Sequence, residues 1–151
     1  MRPSVEFAIL CDDYRLELGK KVSLIGLYGN HILLSSNELP TMIWKICYFQ
    51  RWSGVGDPLE IQIELVPPSG KVNQPPLQIF LVKPQHLEDV RQVGVSMQPL
   101  PILEHGQYHL KTYALPEHEL LHDFAFVIKP NPEIESAEQL PLELTPRQRS
   151  R

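Results

Sequence analysis

Leu59-Glu60-Ile61-Gln62-Ile63-Glu64-Leu65-Val66 alternates without a break, with Ile61, Ile63 and Leu65 on one side and Glu60, Gln62 and Glu64 on the other. Period two is the signature of a strand with one covered and one wet face. Pro67-Pro68-Ser69-Gly70-Lys71 follows and reads as a turn, with Gly70 free to take a positive φ.

The same reading extends outward along the chain. Ser4 to Cys11 alternates Val5, Phe7, Ile9 and Cys11 against Ser4, Glu6, Ala8 and Leu10. Lys21 to Ser35 is β-branched and aromatic, with Gly26 and Gly29 marking a bend or bulge in one long strand. Met42 to Trp52 carries Trp44, Tyr48, Phe49 and Trp52, which core packing explains better than base or sugar stacking. Leu77 to Val82 is a short apolar run, and Gln107 to Leu115 with His122 to Lys129 reads as a late pair of strands. Leu87, Val90 and Val93 are spaced by three, so His86 to Val93 is expected as a helical turn.

Proline punctuates these runs. The chain has 15 among 151 residues. Proline removes a backbone donor and collects at element ends, so most gaps between prolines suit a strand and few suit a helix. The expected fold is all-β: an immunoglobulin-like or related antiparallel β-sandwich of about seven or eight strands. The Cys…Trp…Cys order of an antibody domain is not met, because Trp44 lies beside Cys47. The sandwich is expected over residues 1–130. Residues 131–151 contain no aromatic residue and three prolines, and read as a flexible tail. Leu140, Leu142 and Leu144 alternate there, so docking on a sheet edge is the other reading.

Apolar residues make up 42% and charged residues 21%, and the formal net charge is −4. That balance suits a globular domain and supplies no basic field for nucleic acid. No run approaches the roughly 20 apolar residues that span a bilayer. The apolar run Phe7 to Cys11 is too short for a secretory leader, so a cytoplasmic setting is expected, with Cys11 and Cys47 as buried free thiols. A redox pair is the lesser alternative.

The sharpest chemical pattern is His118-Glu119-Leu120-Leu121-His122. On a helix, H-E-x-x-H puts two imidazoles on one face to hold zinc, and the glutamate polarises a bound water. These five residues resemble the zinc metalloproteases. Pro116 just before them and the strand-like Phe124 to Ile128 just after oppose a helix, and a third ligand would have to come from the tail, as from Glu138. A hairpin turn is the stronger expectation. Asp12 and Asp13 are neighbours on a strand end and point apart. A calcium or small-ligand site at one end of the sandwich would need Asp12, Asp13, Asp57 and Asp123 to converge. No phosphate loop, dinucleotide fingerprint or G-x-S-x-G elbow occurs.

Glu6 to Asp13 (EFAILCDD) and Leu24 to Gly29 (LIGLYG), with the later LVPPSGK and GQYHLKTY segments, resemble a family of small uncharacterised bacterial proteins. The resemblance covers about the first 130 residues. It implies a β-sandwich and brings no activity and no catalytic residues. The function expected is a non-catalytic interaction or assembly module of a bacterial cytoplasm, working through a protein partner or self-association. No cofactor, resident metal or catalytic residue is assigned. A zinc hydrolase on His118, Glu119 and His122 and an end-loop calcium or ligand site stand as alternatives.

Overall fold

A computed structural model describes residues 2–19, 21–81 and 91–134. Among them the chain forms eleven strands: β1 (Ser4–Glu17), β2 (Lys21–Leu27), β3 (His31–Leu33), β4 (Thr41–Ile43), β5 (Ile46–Ser53), β6 (Leu59–Val66), β7 (Leu77–Leu81), β8 (Arg91–Met97), β9 (Leu100–Ile102), β10 (Gly106–Ala114) and β11 (Glu119–Lys129). One sheet runs β2-β1-β5-β8, and a second runs β3-β11-β10-β6-β7. The short β4 and β9 form a separate pair. Among the described strands only β3 with β11 is parallel. The central order, β1-β5-β8 in one sheet and β11-β10-β6 in the other, matches strands A-B-E and G-F-C of an immunoglobulin-type sandwich.

The alternation of β6 is realised. Ile61 and Ile63 are buried, and Leu65 packs against the same core. β10 continues the pattern opposite it, with Tyr108, Leu110, Thr112 and Ala114 inward and Gln107, His109, Lys111 and Tyr113 on the other face. From the facing sheet come Leu10, Tyr48, Trp52, Val93 and Val95. Tyr108, near the start of β10, donates its hydroxyl to the Glu104 carbonyl at 2.8 Å and stacks on Phe126. A tyrosine at this corner, bonded to backbone a few residues upstream, is an immunoglobulin-fold hallmark.

Antibody domains pin the two sheets together with a disulfide, and here a hydrogen-bonded network joins them. Gln50 of β5 is fully buried. Its amide donates to Tyr48 Oη at 3.0 Å and to Thr112 Oγ1 of β10 at 2.9 Å. Its carbonyl oxygen accepts from Trp52 Nε1 at 3.2 Å. Both ends of the amide are therefore satisfied inside an apolar core, as burial demands.

Several expectations are corrected. Lys21 to Ser35 and Met42 to Trp52 each divide, into β2 with β3 and into β4 with β5. Residues 91–93 belong to β8, an edge strand paired to β5, and not to a helical turn; the remainder of that expected turn, 86–90, lies outside the described residues. In β1 a bulge at Glu6 shifts the phase of the alternation. Val5, Ala8 and Leu10 face the core, while Phe7 is exposed. β1 also does not end at Cys11 but runs on through Asp12 and Asp13 to Glu17. Just past Pro130 the chain is still bonded to the sandwich. Asn131 donates its N–H to Asn37 Oδ1 at 2.7 Å, and Asn37 Nδ2 donates to the Asn131 carbonyl at 3.0 Å. The alternating leucines 140, 142 and 144 lie outside the described residues.

Candidate interaction surface

β1 changes partners at Cys11. Ser4 to Cys11 pairs with β5, and Cys11 to Glu17 pairs only with β2. The second half of β1 and β2 thus form a two-stranded ribbon overhanging the sandwich. Its register sets Tyr14 opposite Leu24 and Leu16 opposite Val22, so these four share one face. The other face carries Asp13, Arg15, Glu17, Lys21 and Ser23, with Ile25 among them. The ribbon is amphipathic, although its two strands read separately look like ordinary mixed sequence.

Tyr14 seats the root of the apolar face. Its ring meets Phe49 at 6.2 Å between centroids, and its hydroxyl donates to the Gly94 carbonyl at 3.1 Å. The ring occupies the space a Cβ at position 94 would need, which explains the glycine between Val93 and Val95. Lys45 clamps the root from the other side at 2.8 Å from Asp13, holding that carboxyl below its usual range. Asp12 accepts from Tyr28 at 2.5 Å and fills the space beside Gly26, whose φ of 65° is a conformation that favours glycine. Burial and the Asp12 carboxylate push the Tyr28 hydroxyl up to about 12.

Farther out the cover is incomplete, although Val22 and Leu24 stay partly buried. Leu16 is 77% exposed, and Leu18 at the tip is 96% exposed. Trp44, at the break between β4 and β5, is also 77% exposed, against the expectation that the aromatics of Met42 to Trp52 all pack inside. Tyr48, Phe49 and Trp52 of that run are buried.

The zinc pattern folds as a hairpin. Residues 115–118 form the turn, and Glu119 opens β11. His118 takes a left-handed φ of 57° and stacks on Tyr113 at 4.0 Å, with its Nε2 3.3 Å from Gln62 Nε2. Glu119 forms an ion pair with Arg2. His122 stands opposite Thr112 on the core-facing side. Its buried Nε2 has no hydrogen-bond partner among the described residues, and burial lowers its pKa. The two imidazoles therefore lie on opposite faces of the sheet. Without a helix there is no common face for a metal.

The four aspartates have separate partners or none. Asp12 and Asp13 are engaged at the ribbon root, Asp123 accepts from His109 Nδ1 at 2.7 Å, and Asp57 is exposed in the β5–β6 loop. Among the described residues no three His, Cys, Asp or Glu side chains gather to hold a metal ion. Cys11 and Cys47 face each other across β1 and β5 as buried free thiols. Burial and the neighbouring Cys47 raise the Cys11 pKa to about 11, so that thiol is a poor nucleophile at neutral pH. No helix among the described residues is long and apolar enough to cross a membrane. The chain matches no protein-family model and no curated protein.

Proposed function

We propose that this domain is a non-catalytic interaction or assembly module that docks through the β1–β2 ribbon. The supporting observation is the overhang itself. A two-stranded ribbon is marginal in water without a covered face, and the described residues leave Leu16 and Leu18 of this one uncovered. Burying a leucine contributes about 1.5–3 kcal/mol, so Leu16 and Leu18 together would supply a useful part of a binding energy. The edge of β2, which no strand among the described residues pairs, offers backbone groups to an added strand as well. A bacterial, cytoplasmic setting belongs to the same proposal. Its supports are the unbridged thiols of Cys11 and Cys47 and the resemblance of the Glu6–Asp13 and Leu24–Gly29 segments.

The test is site-specific photo-crosslinking in producing cells. A photoreactive phenylalanine analogue at Leu18 is expected to give a cross-linked species, either a second copy or another protein, well above that from the same analogue at exposed Val72. Equal, low yields at the two positions would defeat the proposal.

A further inference from the structure

The two sheets part at one end. Pro75 and Pro76 precede β7, and Gln98-Pro99 follows β8. Proline cannot donate to a ladder, so pairing stops there and connecting chain takes over from strand. β7 and β8 are the outer strands of their sheets among the described residues. Between the Leu77 end of one and the Met97 end of the other lies a hollow of about 250 Å³. Ile63, Leu65 and Leu110 line it together with Leu77 and Met97. Ile63 and Leu110 belong to the buried core, so the hollow reaches in between the sheets. A smaller hollow of about 70 Å³ adjoins it and shares Leu65 and Gln74.

Size limits what fits. Close-packed interiors leave few voids larger than a water molecule. An apolar cavity of roughly 150 Å³ holds benzene, and pockets for drug-sized molecules begin near about 300 Å³. A hollow of about 250 Å³ therefore suits a substituted single ring or two small fused rings.

The wall limits it further. Gln74 and Gln98 line the larger hollow, and their side-chain amides make no hydrogen bond among the described residues. An amide offers both a donor and an acceptor. Among the described residues no Lys, Arg or His lines either hollow. Glu104, at the smaller one, is a carboxylate already bonded to Ser69. An anion would thus be taken from water with no cation to pair it and a like charge nearby. A cation would find no carboxylate on the wall of the larger hollow. We propose that the hollow between β7 and β8 binds a small uncharged molecule, an apolar ring carrying one hydrogen-bonding group that Gln74 or Gln98 engages. The site shares no residue with the β1–β2 ribbon and does not depend on what the ribbon docks.

Methyl-labelled methionine NMR of the full chain, titrated with indole, tests it. The protein has three methionines. Met97 lines the hollow, whereas Met42 lies in a separate groove beside β3 and β4. Met97→Leu assigns the Met97 signal by its loss. The expected result is a saturable shift of the Met97 methyl with the Met42 methyl unmoved. Indole-3-carboxylate, the same ring with an added charge, should bind about tenfold or more weakly. Leu77→Trp fills the hollow from an edge-strand position that is already 39% exposed. It should abolish the response of Met97, while an unchanged Met42 signal reports an intact fold. The proposal is overturned by the absence of a saturable shift at Met97, or by equal shifts at Met42. Equal affinity for the carboxylate, or a wild-type response in Leu77→Trp, overturns it as well.

Discussion

The β6–β10 pair and the β1–β2 ribbon are both antiparallel and both alternate apolar with polar residues. They differ in what stands opposite. Ile61 and Ile63 face a second sheet and are buried. Tyr14 and Leu16 follow the same period, yet Tyr14 reaches Phe49 at the root while Leu16 is left largely exposed. Alternation thus marks a face that can be covered. Whether it is covered depends on a partner layer, and at Leu16 and Leu18 that layer is not supplied by the described part of the chain.

The largest effect should come from breaking the covered pair. Ile63→Asp removes a core side chain and buries a carboxylate without a partner, at a cost above about 5 kcal/mol, comparable with the whole stability of a small domain. Chemical denaturation should find it unfolded. Leu16→Asp, the matching change in the ribbon, should leave the midpoint within about 0.5 kcal/mol of wild type, because the side chain is already in water. Similar losses at the two positions would mean that Leu16 is covered within the folded domain.

An intermediate effect is expected at the inter-sheet network. Gln50→Leu keeps the volume but strands Trp52 Nε1 and removes a partner from Tyr48 and Thr112. An unsatisfied buried group costs about 1–3 kcal/mol, so a loss of that order in urea denaturation is expected. A neutral result would show that water enters between the sheets at this level.

The smallest effect concerns pH. Burial depresses the His122 pKa, with the adjacent Asp123 opposing it. The unfolded chain therefore takes up this proton first. The stability linked to His122 is complete above the unfolded value of about 6.5 and is lost as pH falls below it. Denaturation midpoints at pH 7.5 and 5.5 should fall more in wild type than in His122→Gln. Equal slopes would assign the acid sensitivity to other groups.

Much of the fold was legible. Proline spacing and the LEIQIELV alternation pointed to a sandwich, and Pro116 before the H-E-x-x-H residues pointed to a hairpin. Each is a local backbone property: a missing donor, or a fixed alternation of side chains. The site was far less legible. Trp44 and Trp52 occur in one aromatic run, yet a break between β4 and β5 turns the first outward while the period of β5 turns the second inward.

By itself the sequence determined the class of fold, the late hairpin and the covered face of β6, because steric and hydrogen-bonding rules act within a few residues. Only the tertiary structure decided that β1 would exchange β5 for β2 at Cys11, that Cys11 would face Cys47, that Gln50 would meet Thr112 across the core, and that Leu16 would overhang. Those outcomes depend on register and on which layer lies opposite, and both are set by contacts between residues far apart in the chain.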